Sequence, residues 1–204
     1  MAYGLLLLRA APMVLSAAAV QFDYSQYLFL RPYLDLPADH EQGNTATAKD
    51  ADDTDGGSSS RSIVNTLLGH FVHRQFPAGL GAILVLYPLT WVVAGANLHP
   101  YIGRASSSVS ALAPLVPVTR YLYAAGLIFS VGHMVFGPVA KDLMDTIGGL
   151  GDKPPVAEPR DASKKDNLEL LKVWLRLHVT RTFVADVPGW LCFTAAFLQS
   201  VRLR

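Results

Sequence analysis

The sequence predicts an all-α integral membrane protein, a four-helix bundle with two long polar loops. Charged residues make up only 16% of the 204 residues, against about 25% in an ordinary soluble domain, and 51% are hydrophobic. Two runs, 76–96 and 121–140, contain no Asp, Glu, Lys or Arg. As helices, each crosses the hydrocarbon core of a bilayer, which is about 30 Å thick. We expect one membrane domain over residues 1–204.

The first and fourth spans are less clear in the sequence. The first covers about residues 5–28, where Arg9 interrupts an apolar stretch, and the fourth covers about 182–201; the second and third are 76–96 and 117–140. Residues 17–19 are alanines, so a cleaved signal peptide is the alternative for the first span. We prefer an uncleaved span, because the chain continues amphipathically to Leu30 and supplies interfacial aromatic side chains.

Two polar segments connect the spans. Residues 35–61 have too little apolar surface to order themselves and predict a mobile loop, and residues 148–165 predict a proline-containing linker. The side that carries both termini and the loop 97–108 holds arginines and no acid: Arg9, Arg104, Arg202 and Arg204. We therefore expect both termini in the cytosol, with the protein in the endoplasmic reticulum or another endomembrane.

Charge and cysteine content exclude some functions. A formal net charge of +1 provides no basic surface for nucleic acid, and the single Cys192 excludes an internal disulfide or a Cys-rich metal site. His70 and His73 lie three residues apart on one predicted helical face, but no carboxylate stands at ligand spacing beside them. We expect no resident metal.

The densest group of polar candidates lies at the start of the fourth span. Trp174, His178 and Arg181 follow i, i+4, i+7 spacing and share one helical face. Asp186 lies at the edge of the last apolar run, where it can pair with Arg181 or with a histidine. Charge at membrane depth is costly, so such residues are candidates for function. The alternative is an interfacial salt bridge with a snorkelling histidine.

Two further candidates belong to the third span. His133 lies near its centre and needs a hydrogen-bond partner or a ligand, because an unsatisfied polar group in hydrocarbon is costly. A plain helix–helix hydrogen bond is the alternative. Gly137 and Pro138 follow one turn later and predict a loosened helix. Arg120 opens the span as an interfacial anchor or as a ligand for an anionic substrate.

The run from Gly132 to Pro138, followed by a linker and by Trp174-x3-His178-x2-Arg181, resembles the anthrone oxygenase-like family. These are small four-span membrane proteins of fungal aromatic polyketide pathways. The resemblance covers about residues 115–200. It implies a monooxygenase of secondary metabolism that oxidises an anthrone to an anthraquinone, with dioxygen as co-substrate and no cofactor.

The resemblance also implies roles for the candidates. His178 would be the base, since the unperturbed pKa of histidine lies near neutral pH, and Arg181 would stabilise the oxyanion. Trp174 would stack on a flat aromatic substrate, and His133 would accept a second proton or orient a group. We assign Arg120 and Asp186 to substrate binding. The expected partners are a hydrophobic aromatic small molecule, the lipid bilayer and further copies of the chain.

Two other readings of the same residues stay open. His133 and His178 are suited to ligate a haem axially in a redox bundle, with His70 and His73 as a second metal site. In a non-catalytic membrane scaffold, the same polar side chains would only hold helices together.

Overall fold

The structure is a computed structural model that describes residues 2–35, 60–99, 115–149 and 167–202. Within these ranges the chain is helical and contains no strand, which confirms the all-α prediction. The longer elements, in chain order, are α1 (Ala2–Leu30), α2 (Ser60–Leu98), α3 (Pro117–Gly132), α4 (Gly137–Gly148), α5 (Asn167–Arg181) and α6 (Val187–Arg202). Nearly all of the predicted loop 35–61 and linker 148–165 lies outside the described residues.

Four helical rods are long and apolar enough to cross a membrane: Tyr3–Tyr33, Ile63–Leu98, Pro117–Gly148 and Asn167–Arg202. The third joins α3 to α4, and the fourth joins α5 to α6. Each contains the span predicted at its position but is longer. The helix α2 begins at Ser60, 16 residues before the predicted span, and Leu68 and Val72 of this extension pack in the bundle. At 39 residues it is about 58 Å long, nearly twice the hydrocarbon thickness.

Two apolar layers hold the rods together. The first layer is formed by Leu30, Leu68, Val72, Met144, Ile147, Leu171, Trp174 and Leu175. The second layer is formed by Ala94, Tyr123, Phe193 and Ala196. The first layer takes the end of α1, the beginning of α2, the end of α4 and the beginning of α5. Successive rods therefore run in opposite directions, as in an up-down-up-down bundle.

A buried polar layer separates the two apolar layers. It contains Asp23, Tyr87, His133, His178, Arg181 and Asp186, so every rod contributes at least one member. Buried polar groups are tolerated when they bind one another, so this layer also ties the four rods in one register.

The third and fourth rods change their helical winding at the polar layer. A 3₁₀ turn (His133–Phe136) connects α3 to α4, and a π segment (Thr182–Asp186) connects α5 to α6. Each irregular segment is followed within two residues by a proline, Pro138 or Pro188. A proline has no N–H to give to the carbonyl four residues earlier, and its ring clashes there, so the winding adjusts. The winding thus changes beside Gly137 and Pro138, but to a tighter 3₁₀ turn and not to the loosened helix that the sequence predicted.

Close contact between the third and fourth rods depends on a glycine, which has no side chain. A Cβ atom on Gly126 would lie 2.6 Å from the ring of Phe193, which is fully buried in the second apolar layer. Gly132, on the same helix, has no heavy atom within 4 Å of the corresponding position.

We predict that Gly126→Ala lowers the stability of the protein by about 1–3 kcal/mol, because Phe193 must leave its rotamer or the rods must separate. Thermal unfolding in lipid nanodiscs measures the effect as a lower Tm. Gly132→Ala is the matched control and should keep the wild-type Tm or raise it. Equal melting temperatures for the two variants would contradict the proposed contact.

Candidate active site

The polar layer is organised around the guanidinium of Arg181. Its Nη2 atom donates to Asp23 Oδ1 at 2.7 Å and to His178 Nδ1 at 2.9 Å. Its Nε atom lies 3.5 Å from Asp186 Oδ2, within ion-pair distance. The side chains of Arg181, Asp23 and Asp186 are only 6%, 1% and 2% exposed, so the ion pairs are shielded from water. Shielded pairs are strong only when geometry and hydrogen bonding are good.

His178 holds the arginine in place. Its Nε2 atom bonds the backbone carbonyl of Asp23 at 2.9 Å, and its ring stacks on Trp174 with centroids 4.5 Å apart. A carbonyl only accepts and a guanidinium only donates, so we assign the neutral tautomer with the proton on Nε2. Both ring nitrogens are then occupied. A base or a haem ligand needs a ring nitrogen with an available lone pair, so this geometry does not favour either role for His178.

His133 has a different environment. Its Nδ1 atom lies 2.7 Å from Asp186 Oδ1, and the hydroxyl of Tyr87 donates to the same oxygen at 2.7 Å. The rings of Tyr87 and His133 also touch, with centroids 4.0 Å apart. Its Nε2 atom has no hydrogen-bond partner among the residues that the structure describes. A carboxylate that holds Nδ1–H leaves the lone pair on Nε2, the arrangement of a general base.

Three atoms of this layer are buried without a hydrogen bond: Asp23 Oδ2, Asp186 Oδ2 and Arg181 Nε. Native structures contain few such atoms, and they concentrate at functional sites. The carboxyl groups of Asp23 and Asp186 both lie within ion-pair distance of Arg181, so two acidic side chains flank one guanidinium.

A cavity of about 400 Å³ adjoins the layer. Trp174 lines it and stacks on His178, and Phe22 lines it and precedes Asp23 in the chain. The cavity thus ends one residue from Asp23 on α1 and about two helical turns before Arg181 on α5. A second cavity, of about 10 Å³, is lined by Tyr87 and Asp186 and has roughly the volume of one water.

The structure brings together five of the six predicted site residues: His133, Trp174, His178, Arg181 and Asp186. The pairing predicted for Asp186 is confirmed with both Arg181 and His133.

Arg120 is not part of this group. It is exposed, donates to the Leu98 carbonyl at 3.2 Å and lies 13 residues, about 20 Å, before His133 on the third rod. Its position is that of an anchor at the end of a helix. His70 and His73 are exposed, and within the described ranges no group of three or more metal-ligating side chains occurs.

Sequence reasoning missed Asp23 and Tyr87. The carboxylate of Asp23 is the only acid in the first rod before Asp35, and an ionisable residue inside an apolar run is a functional candidate by itself. That signal was sufficient to find it. No comparable signal exists for Tyr87, since one tyrosine in an apolar helix is ordinary and only its partner Asp186 distinguishes it.

We predict that Arg181→Leu lowers the stability of the protein by about 3–5 kcal/mol, because it leaves Asp23 Oδ1 and His178 Nδ1 without their donor and removes the cation beside two buried carboxyls. Thermal unfolding in nanodiscs measures the loss. Arg31→Leu is the matched control, since its pair with Asp35 has exposed side chains, 58% and 71%, and is worth about 0–1 kcal/mol. A wild-type Tm in Arg181→Leu would show that the arginine does not hold the layer together.

Comparisons with known proteins point to fungal oxidative enzymes. No protein-family model and no solved structure matches the chain. The epoxidase pydX of an Acremonium species is 27% identical over 119 residues, which are 58% of this chain and 61% of that protein. The epoxidase gkaX of Penicillium citrinum is 24% identical over 199 residues, 97% of each chain. The probable epoxidase scpX of Mollisia scopiformis is 32% identical over 79 residues, 39% of this chain and 43% of that protein.

None of these three relatives is named as an anthrone oxygenase, so that family resemblance stays a prediction. Along nearly its whole length, the chain is similar to a fungal protein that is named as an epoxidase.

Proposed function

We propose that this protein is a membrane-embedded enzyme that oxidises a hydrophobic small molecule in fungal secondary metabolism. The observation that carries the proposal is the buried His133 imidazole, which Asp186 holds through Nδ1 and whose Nε2 makes no hydrogen bond within the described part of the chain. Helix packing alone has no need for a free imidazole nitrogen beside a buried cation. The epoxidase names of three fungal relatives support the oxidative part of the proposal.

The reaction that we favour is oxidation of a polycyclic phenol of the anthrone type by dioxygen without a cofactor. The base removes a proton from the acidic CH₂ group and leaves an electron-rich phenolate. This anion reduces dioxygen itself and forms a carbon–oxygen bond. One oxygen atom becomes the new carbonyl group, and the other leaves as water together with the two hydrogens of the CH₂ group. The protein supplies a base, a cation and a site that excludes water.

His133 takes the role of base in this scheme in place of His178. Protonation of His133 at Nε2 gives an imidazolium that Asp186 stabilises through Nδ1, whereas protonation of His178 at Nδ1 would displace Arg181. Arg181 remains the cation that stabilises the oxyanion, because its Nε lacks a hydrogen bond in the described structure. His178 positions Arg181, and Trp174 contacts the substrate.

The charges of the polar layer support proton transfer. Arg181 carries one positive charge, and Asp23 and Asp186 would carry two negative charges if both were ionised. A net charge in a shielded layer is costly, so we place one additional proton on the two carboxyls, which leaves the lone pair of His133 Nε2 available. Such a layer accepts a substrate proton and returns it with little rearrangement.

Epoxidation is the second candidate, and the names of the relatives favour it. One oxygen atom of dioxygen would add across a carbon–carbon double bond, and the other would leave as water after an external donor had supplied two electrons and two protons. The two reactions give different products. Anthrone oxidation adds one oxygen and removes two hydrogens, whereas epoxidation adds one oxygen and keeps every hydrogen.

We also place the protein in the endoplasmic reticulum or a related endomembrane with both termini in the cytosol. Protease accessibility of epitope tags at each end, in sealed microsomes, tests this orientation. Protection of either tag from external protease would contradict it.

We predict that His133→Asn lowers oxygen uptake by about 10²–10⁴-fold, because the asparagine amide can replace Nδ1–H at Asp186 but supplies no lone pair at the position of Nε2. Uptake is measured with membranes that express the protein and receive an anthrone, with and without chelator. Uptake that is insensitive to chelator and yields a quinone supports the cofactor-independent reaction.

Two controls make this test specific. His73→Asn changes an exposed histidine and should keep full activity. His178→Ala should lower activity together with thermal stability, because it releases Arg181. Full activity in a well-folded His133→Asn variant would remove His133 from the mechanism. Wild-type membranes that leave anthrone unchanged, but epoxidise an alkene when supplied with a reductant, would transfer the proposal to the second reaction.

A further inference from the structure

We propose that the 400 Å³ cavity between α1, α2 and the α4–α5 side of the bundle is a binding chamber for a neutral, flat polycyclic ligand with one hydrogen-bonding edge. The volume falls within the range of small-molecule pockets, about 300–1,000 Å³. As a substrate site, the chamber rests on the proposed function; as a binding site, it stands on its own geometry.

The chamber walls favour an aromatic ligand. Five aromatic side chains line it: Phe22, Phe29, Phe71, Phe76 and Trp174. Aromatic rings offer flat faces and edges that pack well on another ring system. Trp174 is fixed by its stack on His178, so the chamber has a rigid floor at its inner end. A fatty acyl chain would gain no comparable advantage from rigid flat walls.

The polar atoms of the chamber define the edge that they recognise. Besides the indole of Trp174, they belong to Ser25, Gln26 and Gln75, and the described lining includes no ionisable side chain. Serine and glutamine each donate and accept, so they suit hydroxyl and carbonyl groups. An ionised ligand would find no opposite charge until it reached Arg181, beyond Trp174. The chamber therefore selects a neutral phenol or ketone.

The way into the chamber lies between α1 and α2. Phe29, Gln75 and Ala78 line the chamber and are exposed on the outside of the bundle. On α2 the chamber runs from Gly79, eight residues or about 12 Å before Tyr87, outward past residue 76, where the predicted second span begins. A hydrophobic ligand dissolved in the bilayer interface would enter sideways at this level.

Gly79 keeps the chamber open. A Cβ atom there would lie 3.2 Å from Gln26 Nε2 and 3.3 Å from Phe22 Cζ, so both lining side chains use the space over this glycine. Gly81, two residues later on the same helix, is exposed and has nothing within 4 Å of the corresponding position. The two glycines provide a matched pair of variants.

The test is the binding of 1,8-dihydroxyanthraquinone to the whole protein in lipid nanodiscs. The probe is achiral, so its induced circular dichroism reports binding in the protein and ignores dye that dissolves in the bilayer. We expect Gly79→Leu to raise the dissociation constant about tenfold or more, since about 55 Å² of lost apolar contact suffices for that change. Gly81→Leu should keep the wild-type dissociation constant.

A second variant tests the polar edge if Gly79→Leu fails to fold. Gln75→Leu should weaken the binding of 1,8-dihydroxyanthraquinone about threefold to tenfold and leave the binding of anthracene, which has no polar group, unchanged or tighter. Equal dissociation constants in the wild type, Gly79→Leu and Gly81→Leu would overturn the chamber. Equal effects of Gln75→Leu on both ligands would overturn the recognition of a polar edge. Loss of the induced signal of both ligands at every concentration of added decanoic acid would show an acyl-chain site and overturn the assignment.

Measurements of ligand binding and of turnover distinguish a failure of this inference from a failure of the proposed function. A wild-type protein that binds the probe and oxidises no anthrone would leave the chamber standing and remove the proposed reaction. An unchanged KM for anthrone in Gly79→Leu, together with normal turnover, would leave the reaction standing and remove the chamber as its substrate site.

Discussion

The burial of one guanidinium is the constraint on which the rest of this structure depends. Arg181 is 5% exposed, and removing such a charge from water costs several kcal/mol unless partners surround it. One partner, Asp23, lies on the first rod. The other two, His178 and Asp186, lie about one turn away on the same rod as Arg181. His133 and Tyr87 then bind Asp186, which connects the remaining two rods to the same charge.

This constraint explains why regular helix is interrupted at one depth. The π segment Thr182–Asp186 changes the direction of Asp186 relative to Arg181, so both side chains of the fourth rod reach the interior. On the third rod, the 3₁₀ turn begins at His133 and faces that segment. The prolines are sufficient to cause the change of winding. The polar layer explains why the protein tolerates it. Groups freed by irregular winding at membrane depth need partners from neighbouring helices.

Local sequence patterns predicted the fold class and part of the site, for reasons that can be stated. Uncharged runs predict the apolar rods, and helical spacing places Trp174, His178 and Arg181 on one face. Helical periodicity says nothing about contacts between rods, so the bond between Tyr87 and Asp186 was out of reach. The second span was predicted to begin at residue 76 because residues 60–75 contain polar side chains, whereas packing of Leu68 and Val72 accompanies a helix that begins at Ser60. We propose His133 and not His178 as the base, because hydrogen-bond partners and not residue types determine which ring nitrogen keeps its lone pair.

The layered arrangement also reconciles stability with reactivity. Three buried polar atoms without hydrogen bonds lower stability, and a layer built only for packing would have no reason to keep them. Apolar layers on both sides offset that cost, with residues such as Leu68, Tyr123 and Phe193 that are completely buried. The cavity lies on the side of the first apolar layer and shares Trp174 with it, so a ligand would complete that layer instead of disturbing it. Under the proposed function, the polar groups can lack hydrogen bonds until a substrate binds, because the two apolar layers hold the rods that carry them.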